Sequence, residues 1–364
     1  MDRRRIWLSA AAGIVSASLL FAGCTSGPPA PSGSTAAPSG DTAATYTVEE
    51  VAAASGAYKV KPIYAVPKKL SKEYTLAFAN PALNYPFFKS WDDGMKAAAK
   101  FYGVKVVTSD LNFKYEELLS QYQNLAVQSP DLFGSGGATM NAATQAALKA
   151  ESMPSVLIDD AFGGMLNFGV NDKEVGVLAA DKIIEAAKPR IAADWANRKV
   201  IVAGVTAPNC APCDNRVKAG LARTAEGLGL AKDLTYVVTP TSTDPNVTVQ
   251  STMTDFLTAH PEDVVLVLSY GDDPVLGAIA AARSEGRSKD MLGVANGGST
   301  TARVALRDPS SKGILIGAID YEPFRQGWNW VEGAIATLQK DSFGTYTVDR
   351  FLTADNVDEF YPND

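Results

Sequence analysis

The chain has 364 residues, and its 33 Lys and Arg against 40 Asp and Glu give it a formal net charge of −7. A mildly acidic chain with no basic run beyond its first positions is a poor partner for nucleic-acid phosphates, so we expect no nucleic-acid partner. The single histidine, His260, excludes most histidine-based metal sites. Ser-His-Asp or Cys-His catalysis would require His260 as the base, and its predicted loop position argues against that. We therefore expect neither a metal nor a cofactor.

The first 24 residues have the layout of a bacterial secretion signal. Three arginines at positions 3–5 precede an uncharged apolar run at 6–21, and Ala22 and Gly23 precede Cys24. The pattern resembles a lipoprotein signal, which implies that residues 1–23 are removed and that Cys24 carries lipid. The alternatives are an ordinary cleaved signal or a transmembrane helix, although the run is shorter than the roughly 20 residues a bilayer span needs. We expect a protein anchored on the outer side of the cell membrane.

Two segments with different compositions follow the signal. Residues 25–45 are almost entirely Ser, Thr, Pro, Ala and Gly, with Asp41 as the only charge. Such a composition has too little apolar surface to offset the entropy of ordering, so residues 24–45 are predicted to form a flexible tether. Residues 46–72 are more apolar and contain spaced prolines and lysines, which predicts an extended arm lying on the globular body.

From residue 74 onward, short apolar strands alternate with segments of helical periodicity. Strands are predicted at 75–79, 104–107, 132–137, 155–158, 166–170, 200–205, 234–238, 264–268, 291–295 and 313–319. Helices are predicted at 88–102, 115–126, 141–150, 173–187, 216–228, 247–259, 274–285, 301–307 and 322–338. The alternation predicts an α/β fold of parallel sheets with helices on both faces, and the strand number favours two sheets.

The segments that follow the predicted strands are rich in aromatic, acidic and amide side chains. Ligand sites in open parallel sheets lie at the carboxyl ends of the strands, so these side chains are expected to converge. Aromatic faces pack on sugar C–H surfaces, and Asp and Asn satisfy hydroxyl groups, so this inventory suits a neutral polyhydroxylated ligand. The alternative is that several of them are helix caps, as Asp272, Asp273 and Ser299 could be.

Several motifs resemble the type I periplasmic sugar-binding proteins of the ribose- and galactose-binding family. They are residues 83–88 (LNYPFF), 154–159 (PSVLID), 170–176 (VNDKEVG), 272–278 (DDPVLGA), 292–297 (LGVANG) and 321–327 (YEPFRQG), and the likeness runs from about 74 to 360. The resemblance implies two doubly wound parallel-sheet lobes joined by a three-strand hinge. The N-terminal lobe would comprise 73–170 plus 321–348, and the C-terminal lobe 171–320 plus 349–364.

The same resemblance implies what the protein binds and how. A monomer would close on its ligand, and the closed form would be read by the membrane permease of an ATP-driven (ABC) importer. Phe87 and Phe88 match the aromatic pair that sandwiches a sugar, Asp159 matches the carboxylate that accepts its hydroxyls, and Arg216 resembles the arginine of the second lobe. The predicted ligand-binding residues are Tyr85, Phe87, Phe88, Asp159, Asp160, Arg216, Asp272, Asn296, Asp320 and Tyr321.

Some positions depart from the pattern of the family. Tyr85 replaces an Asn, Asp160 stands where ribose binders have Arg, and Gly271 stands in place of an Asn. Asn296 replaces an Asp and Tyr321 a Gln. The predicted pocket has thus gained an acid and lost an arginine. A sugar acid would leave its buried carboxylate with Arg216 as its evident partner, so a neutral sugar, a sugar alcohol or an amine-bearing ligand fits better.

Cys210 and Cys213 form a CxxC motif. In a cytosolic protein this spacing would suggest redox chemistry or zinc. Zinc needs about four ligands, and the sequence offers no second cysteine or histidine cluster. Outside the membrane a local disulfide is favoured.

Three functions remain open. The first is a lipid-anchored binding protein for sugar or polyol import, without catalysis. The second is a nucleoside-binding or sensor-coupled lipoprotein of the same fold. The third is a glycosidase that uses Asp159 with Asp160, or Asp272 with Asp273, as paired carboxylates. Adjacent residues of an extended chain point to opposite sides, which argues against the third.

Overall fold

The computed structural model describes residues 44–362, apart from positions 138, 161, 163, 208–209 and 241–244 and the side chains at 245–247. The predicted signal peptide at 1–23, the lipid attachment at Cys24 and the predicted tether up to residue 43 lie outside the described residues. Within the described part, no helix combines the length and the apolar character that a membrane span requires.

The first lobe is built on a five-stranded parallel sheet in the order β2-β1-β3-β4-β5. Its strands are β1 Thr75–Asn80, β2 Lys105–Asp110, β3 Leu132–Gly136, β4 Ser155–Ile158 and β5 Leu166–Phe168. Its helices are α2 Pro86–Tyr102, α3 Leu118–Ala126, α4 Ala142–Ala150 and α10 Pro323–Gln339. Helix α10 packs along α2, so this late segment completes the first lobe.

The second lobe is built on a six-stranded sheet in the order β11-β10-β9-β8-β6-β7. Its strands are β6 Val200–Val205, β7 Thr235–Val238, β8 Val264–Ser269, β9 Met291–Gly297, β10 Leu315–Asp320 and β11 Arg350–Leu352. Its helices are α5 Asp172–Ala192, α6 Ala211–Leu228, α7 Pro245–Ala259, α8 Asp272–Ser284, α9 Thr300–Arg307 and α11 Val357–Phe360. The edge strand β11 pairs antiparallel with β10. The sequence patterns did not predict β11 or α11, which have three and four residues.

The strands form the cores of the two lobes because their sequences are continuous apolar runs. All six residues of β6 and all six of β8 are buried, as expected for parallel strands covered by helices on both faces. The chain passes between the two sheets three times: from β5 to α5, from β10 to α10, and from α10 to β11.

The predicted extended arm at 46–72 is wrong in its first part, which contains helix α1 Val48–Ala54. Thr47 and Glu50 form a capping box, in which the Glu50 amide donates to Thr47 Oγ1 at 3.2 Å and the Thr47 amide donates to Glu50 Oε2 at 2.8 Å. The Thr-x-x-Glu spacing was the sequence signal for this helix. The body also begins earlier than the predicted tether boundary, because Thr45 pairs with Pro67 in an isolated bridge.

Helix α6 begins at Ala211, five positions before the predicted start at 216. Cys210 is its N-cap and Pro212 lies in its first turn, a position that proline tolerates because the first amides of a helix have no intrahelical acceptor. The earlier start places the whole CxxC motif on the first turn of the helix, next to Arg216.

Candidate functional site

A cavity lies between the lobes, at the carboxyl ends of the strands of both sheets. About 110 Å³ of it is open to the centres of water-sized molecules, whereas one water needs roughly 10–15 Å³ on this measure. The cavity therefore has room for a small organic molecule. It is lined by Tyr85, Phe87, Phe88, Trp91, Phe113, Tyr115, Gly137, Asp159, Ala207, Cys210, Pro212, Cys213, Arg216, Tyr270, Gly271, Asp272, Asn296 and Tyr321.

The first lobe supplies an aromatic wall. Phe87 and Phe88 lie in the first turn of α2, with ring centroids 5.5 Å apart, and the Phe88 ring lies 5.0 Å from that of Trp91. Asn80, at the end of β1, positions this turn: its side-chain amide donates to the Phe88 carbonyl at 2.9 Å and its oxygen accepts from the Ala82 amide at 3.0 Å. The Asn80 side chain and the packing of the rings therefore hold the wall in place.

Asp159 follows β4 and is hydrogen-bonded to the segment before α5 and to helix α10. Its backbone is in the left-handed region, with φ 48°. One carboxylate oxygen accepts from the Val170 amide at 2.7 Å, and the other accepts from the Gln326 side chain at 2.8 Å. Gln326 also accepts from the Trp91 indole at 2.8 Å, so one buried amide positions both lining residues. Burial raises the pKa of Asp159 to about 6.

Arg216 is the cationic group of the second lobe. It is 8 % exposed, and its guanidinium donates to the Tyr270 carbonyl and to Asp172 at 2.6 Å. It lies over the Tyr321 ring at 5.0 Å from the centroid. Its Nε is buried and has no hydrogen-bond partner among the residues that the structure describes.

Asp272 and Asn296 stand at the carboxyl ends of β8 and β9. Asp272 accepts from the Ser299 amide at 2.7 Å and from the Gly298 amide at 3.2 Å. Burial raises the pKa of Asp272 to about 7. Asn296 donates to the Ser269 carbonyl at 2.8 Å and accepts from the Tyr321 hydroxyl at 3.4 Å. These bonds hold both side chains in place, and both residues line the cavity.

The lobes contact each other across the cavity. The Tyr85 hydroxyl of the first lobe is hydrogen-bonded to Asp273 of the second, and burial together with this carboxylate raises the pKa of Tyr85. The Phe87 ring lies 6.1 Å from that of Tyr321, which begins the second hinge crossing. The structure is therefore a closed form of the two lobes.

Two of the ten predicted ligand-binding residues, Asp160 and Asp320, are absent from the cavity lining. Asp160 accepts from the Met140 amide at 2.8 Å and from the Phe162 amide at 3.2 Å. Asp320 accepts from Arg350, from the Tyr361 hydroxyl and from the Glu322 amide at 3.1, 2.8 and 2.9 Å. Both carboxylates are therefore bonded within the protein and do not border the cavity.

The other eight predicted residues line the cavity together. Four aromatic lining residues were not among the predicted ligand-binding residues: Trp91, Phe113, Tyr115 and Tyr270. Two of these carried a positional signal: Tyr270 follows β8, and Trp91 is three positions after Phe88 on the same helix face.

Cys210 and Cys213 are joined by a disulfide, with the sulfurs 1.99 Å apart, and both line the cavity.

The two acidic doublets are Asp159 with Asp160 and Asp272 with Asp273. Neither doublet presents two carboxylates to the cavity, since Asp160 and Asp273 are not lining residues. Across the described residues, no group of three or more His, Cys, Asp and Glu side chains could hold a metal ion.

Two lobes, three crossings and a cavity at the strand ends define a two-lobed binding protein. The sequence model of the periplasmic binding protein domain matches residues 76–342, and the chain belongs to this family.

Individual relatives agree with this assignment. The ribose import binding protein of Bacillus subtilis is 26% identical over 243 residues, which cover 65% of this chain and 74% of that protein. Two solved structures share the fold: a glucose-galactose binding protein from Geobacillus stearothermophilus (TM-score 0.66, 16% identity, 79% of this chain and 99% of that chain) and an ABC transporter solute-binding protein from Bacillus halodurans with bound myo-inositol (TM-score 0.66, 18% identity, 80% and 99%).

Proposed function

We propose that this protein is a lipid-anchored solute-binding protein that captures a neutral sugar or polyol between its lobes and delivers it to an ABC import permease. The observation that carries the proposal is the cavity, whose aromatic wall in the first lobe faces Arg216, Asp272 and Asn296 of the second. A ring with apolar faces and polar edges is complementary to such a pair of walls.

The relatives support the ligand class. By their names, one is a ribose import protein, one a glucose-galactose binder, and one was solved with myo-inositol. Among the described residues that line the cavity, one is a cation, Arg216, already paired with Asp172, and two are carboxylates, Asp159 and Asp272. An anionic ligand would face this excess of acid, so an uncharged polyhydroxylated molecule fits better.

Binding requires no bond-making step. A ligand that contacts both lobes stabilises the closed form by the contacts it makes only there, and this shifts the population from open to closed. The three crossings form the hinge for the movement. The closed form would then be the state that the permease distinguishes from the unliganded receptor.

The sequence at residues 1–24 supports placement outside the cell membrane. Removal of 1–23 and lipidation of Cys24 would anchor the chain by acyl groups, and the Ser-, Thr-, Pro- and Ala-rich segment after Cys24 would let the body move above the membrane. Anchoring keeps the receptor at a high effective concentration near its permease.

A nucleoside is the second candidate ligand, which the same chain could carry to a permease or to a sensor. Eight aromatic residues line the cavity, whereas a single sugar ring needs fewer aromatic partners. A nucleobase would stack on such rings.

The test is a thermal-shift screen of the full chain against sugars, polyols, nucleosides and amino acids. A ligand that binds only the folded state raises the melting temperature, so a sugar or polyol should give the largest shift. A shift with nucleosides alone would favour the second candidate, and a shift with amino acids alone would overturn both.

A further inference from the structure

The disulfide between Cys210 and Cys213 forms part of the cavity wall. Cys213 is 8 % exposed, and Pro212 between the two cysteines lines the cavity with them. A local bond in a three-residue span adds little to global stability, because the chain segment it closes is short. Its position at the site calls for a different explanation.

The position of the disulfide on α6 favours its reduction. Cys210 is the N-cap of this 18-residue helix, and its sulfur accepts from the Cys213 amide at 3.3 Å. The N-terminus of a helix carries a partial positive charge, which stabilises a thiolate there. A stabilised thiolate is a good leaving group and makes the disulfide easier to reduce.

We propose that this disulfide is a redox-sensitive element of the binding site, whose reduction by a dithiol lowers the affinity of the cavity for its ligand. A thiolate of the dithiol attacks one sulfur and breaks the Cys210–Cys213 bond, and the second thiol of the reagent then displaces the mixed disulfide. Two electrons and two protons pass to the protein, which leaves two cysteine thiols and an oxidised reagent. The inference rests on the proposed binding function.

Reduction changes the shape of the cavity wall because the sulfurs of Cys210 and Cys213 need more room when they are no longer bonded. Bonded sulfurs lie about 2.05 Å apart, whereas non-bonded heavy atoms approach no closer than about 3.5 Å. The sulfurs must therefore separate within a wall that borders only about 110 Å³ of open cavity. The first turn of α6 also leads into Arg216, whose guanidinium is held by Asp172 and the Tyr270 carbonyl. Reduction would release this turn and disturb the position of the cation.

The affinity test uses the full chain with Cys24→Ser, in which Cys210 and Cys213 are the remaining cysteines. The probes are ribose, glucose, galactose and myo-inositol, and calorimetry gives the Kd before and after treatment with dithiothreitol. We expect Kd to rise about tenfold on reduction, which corresponds to about 1.4 kcal/mol. The variant Cys210→Ser with Cys213→Ser should bind as weakly as the reduced protein and should not respond to dithiothreitol.

An unchanged Kd after reduction overturns the proposal, as does a disulfide that dithiothreitol cannot reduce in the folded protein. A change of Kd that also occurs in the double-serine variant overturns it too, because the reagent would then act elsewhere. If that variant does not fold, the comparison of oxidised and reduced Cys24→Ser protein decides.

Hydrogen exchange of residues 211–217 gives a readout that needs no ligand. Reduction should speed exchange in this turn while the rest of α6 keeps its protection, and equal exchange in both states would overturn the proposal. If no probe binds, the proposed function fails for these ligands, and the exchange measurement alone decides the role of the disulfide.

Discussion

Asp159 and Asp160 are neighbours in sequence, yet only Asp159 borders the cavity. Asp159 accepts from Val170 and Gln326 and lines the cavity, whereas Asp160 accepts from the backbone of Met140 and Phe162. The sequence named both as candidates because it places them after the same strand. The backbone conformation at Asp159 decides which of the two carboxylates borders the cavity. Its φ of 48° lies in the left-handed region, and no sequence pattern predicted it.

This difference gives a matched pair of variants. Asp159→Asn should weaken ligand binding about tenfold or more, because a hydrogen bond to a charged group contributes roughly 1.5–3 kcal/mol. Asp160→Asn should lower the melting temperature but leave Kd unchanged in the folded protein. Calorimetry and thermal melting on both variants check this. Equal Kd values for Asp159→Asn and the wild type would remove Asp159 from the site.

Phe88 is the second residue whose removal tests the cavity. Phe88→Ala should abolish the ligand-induced thermal shift, because the ring forms the wall against Tyr85 and Trp91, with centroids 5.5 and 5.0 Å away. The control is Phe256→Ala, which removes a ring that packs on Tyr236 in the second lobe. That variant should be less stable but should still show the shift. An intact shift in Phe88→Ala would mean that the ligand binds elsewhere.

At the scale of elements, periodicity located most strands and helices well, because long apolar runs dominate the pattern. It failed where local chemistry decides. Helix α1 depends on the capping box of Thr47 and Glu50, α6 starts early on the CxxC turn, and β11 is too short to show a period. The packing of the helices against one another could not be predicted from periodicity. It depends on close contacts between helices that only a small residue at one position allows.

Gly176 permits one such approach, between α5 and α6. A Cβ added there would lie 2.1 Å from the carbonyl oxygen of Arg216, whereas a Cβ on Gly333 in α10 would meet the Phe343 ring at an ordinary 3.6 Å. Gly176→Ala should therefore destabilise the fold by about 1–3 kcal/mol and weaken ligand binding by displacing Arg216. Gly333→Ala should stabilise it by about 0.5–1 kcal/mol, the usual gain for a helix interior. Urea unfolding measures the change in the free energy of unfolding for both variants. Changes of the same sign would contradict the prediction.

The arm is attached to α10 through Glu332, whose side chain is buried. Its carboxylate accepts from the Ile63 amide of the arm at 2.7 Å and from the Tyr102 hydroxyl at 2.7 Å. It also accepts from the Asn329 side chain at 2.9 Å and the Trp328 indole at 3.1 Å. Four donors thus converge on one acidic group. The bond from Ile63 explains why the arm lies against the first lobe.

Glu332→Ala should cost about 3 kcal/mol or more, because it leaves these buried donors without an acceptor. Hydrogen exchange should show faster exchange at residues 60–66 in this variant. The control is Glu226→Ala, which removes an exposed carboxylate on α6 and should change stability by less than about 0.5 kcal/mol. Full protection of 60–66 in Glu332→Ala would show that the arm is held by its apolar contacts instead.

At the scale of the whole molecule, the hinge and the cavity share their residues. Tyr321 lines the cavity and begins the crossing into α10, Asp159 accepts from Val170 next to the first crossing, and Tyr346 before the third crossing donates to the Tyr321 carbonyl at 2.6 Å. A ligand bound in this cavity would contact residues at the crossings between the lobes. Under the proposed function, those contacts alone would couple binding to closure of the lobes.

The same closed, buried architecture fixes the pH dependence of stability. Burial raises the pKa of Asp159 and Asp320 to about 6 and that of Asp272 and Glu332 to about 7. All four values lie above those of the unfolded chain, so the folded state binds more protons between about pH 4.5 and 7. The stabilisation by these groups is complete below the unfolded pKa values and is lost as the pH rises through the folded ones.

We therefore expect the free energy of unfolding to increase by several kcal/mol between about pH 8 and about pH 5. Carboxylates paired on the surface oppose this only at lower pH, because interactions such as the one between Asp290 and Arg198 hold their pKa below the usual range. Urea unfolding across this range measures the slope. Glu332→Gln, which cannot ionise, should flatten the slope between about pH 5 and 7 by the share of that one group. A stability that falls steadily from pH 8 to pH 5 would contradict the prediction, because carboxyls with raised pKa values stabilise the folded state as the pH falls.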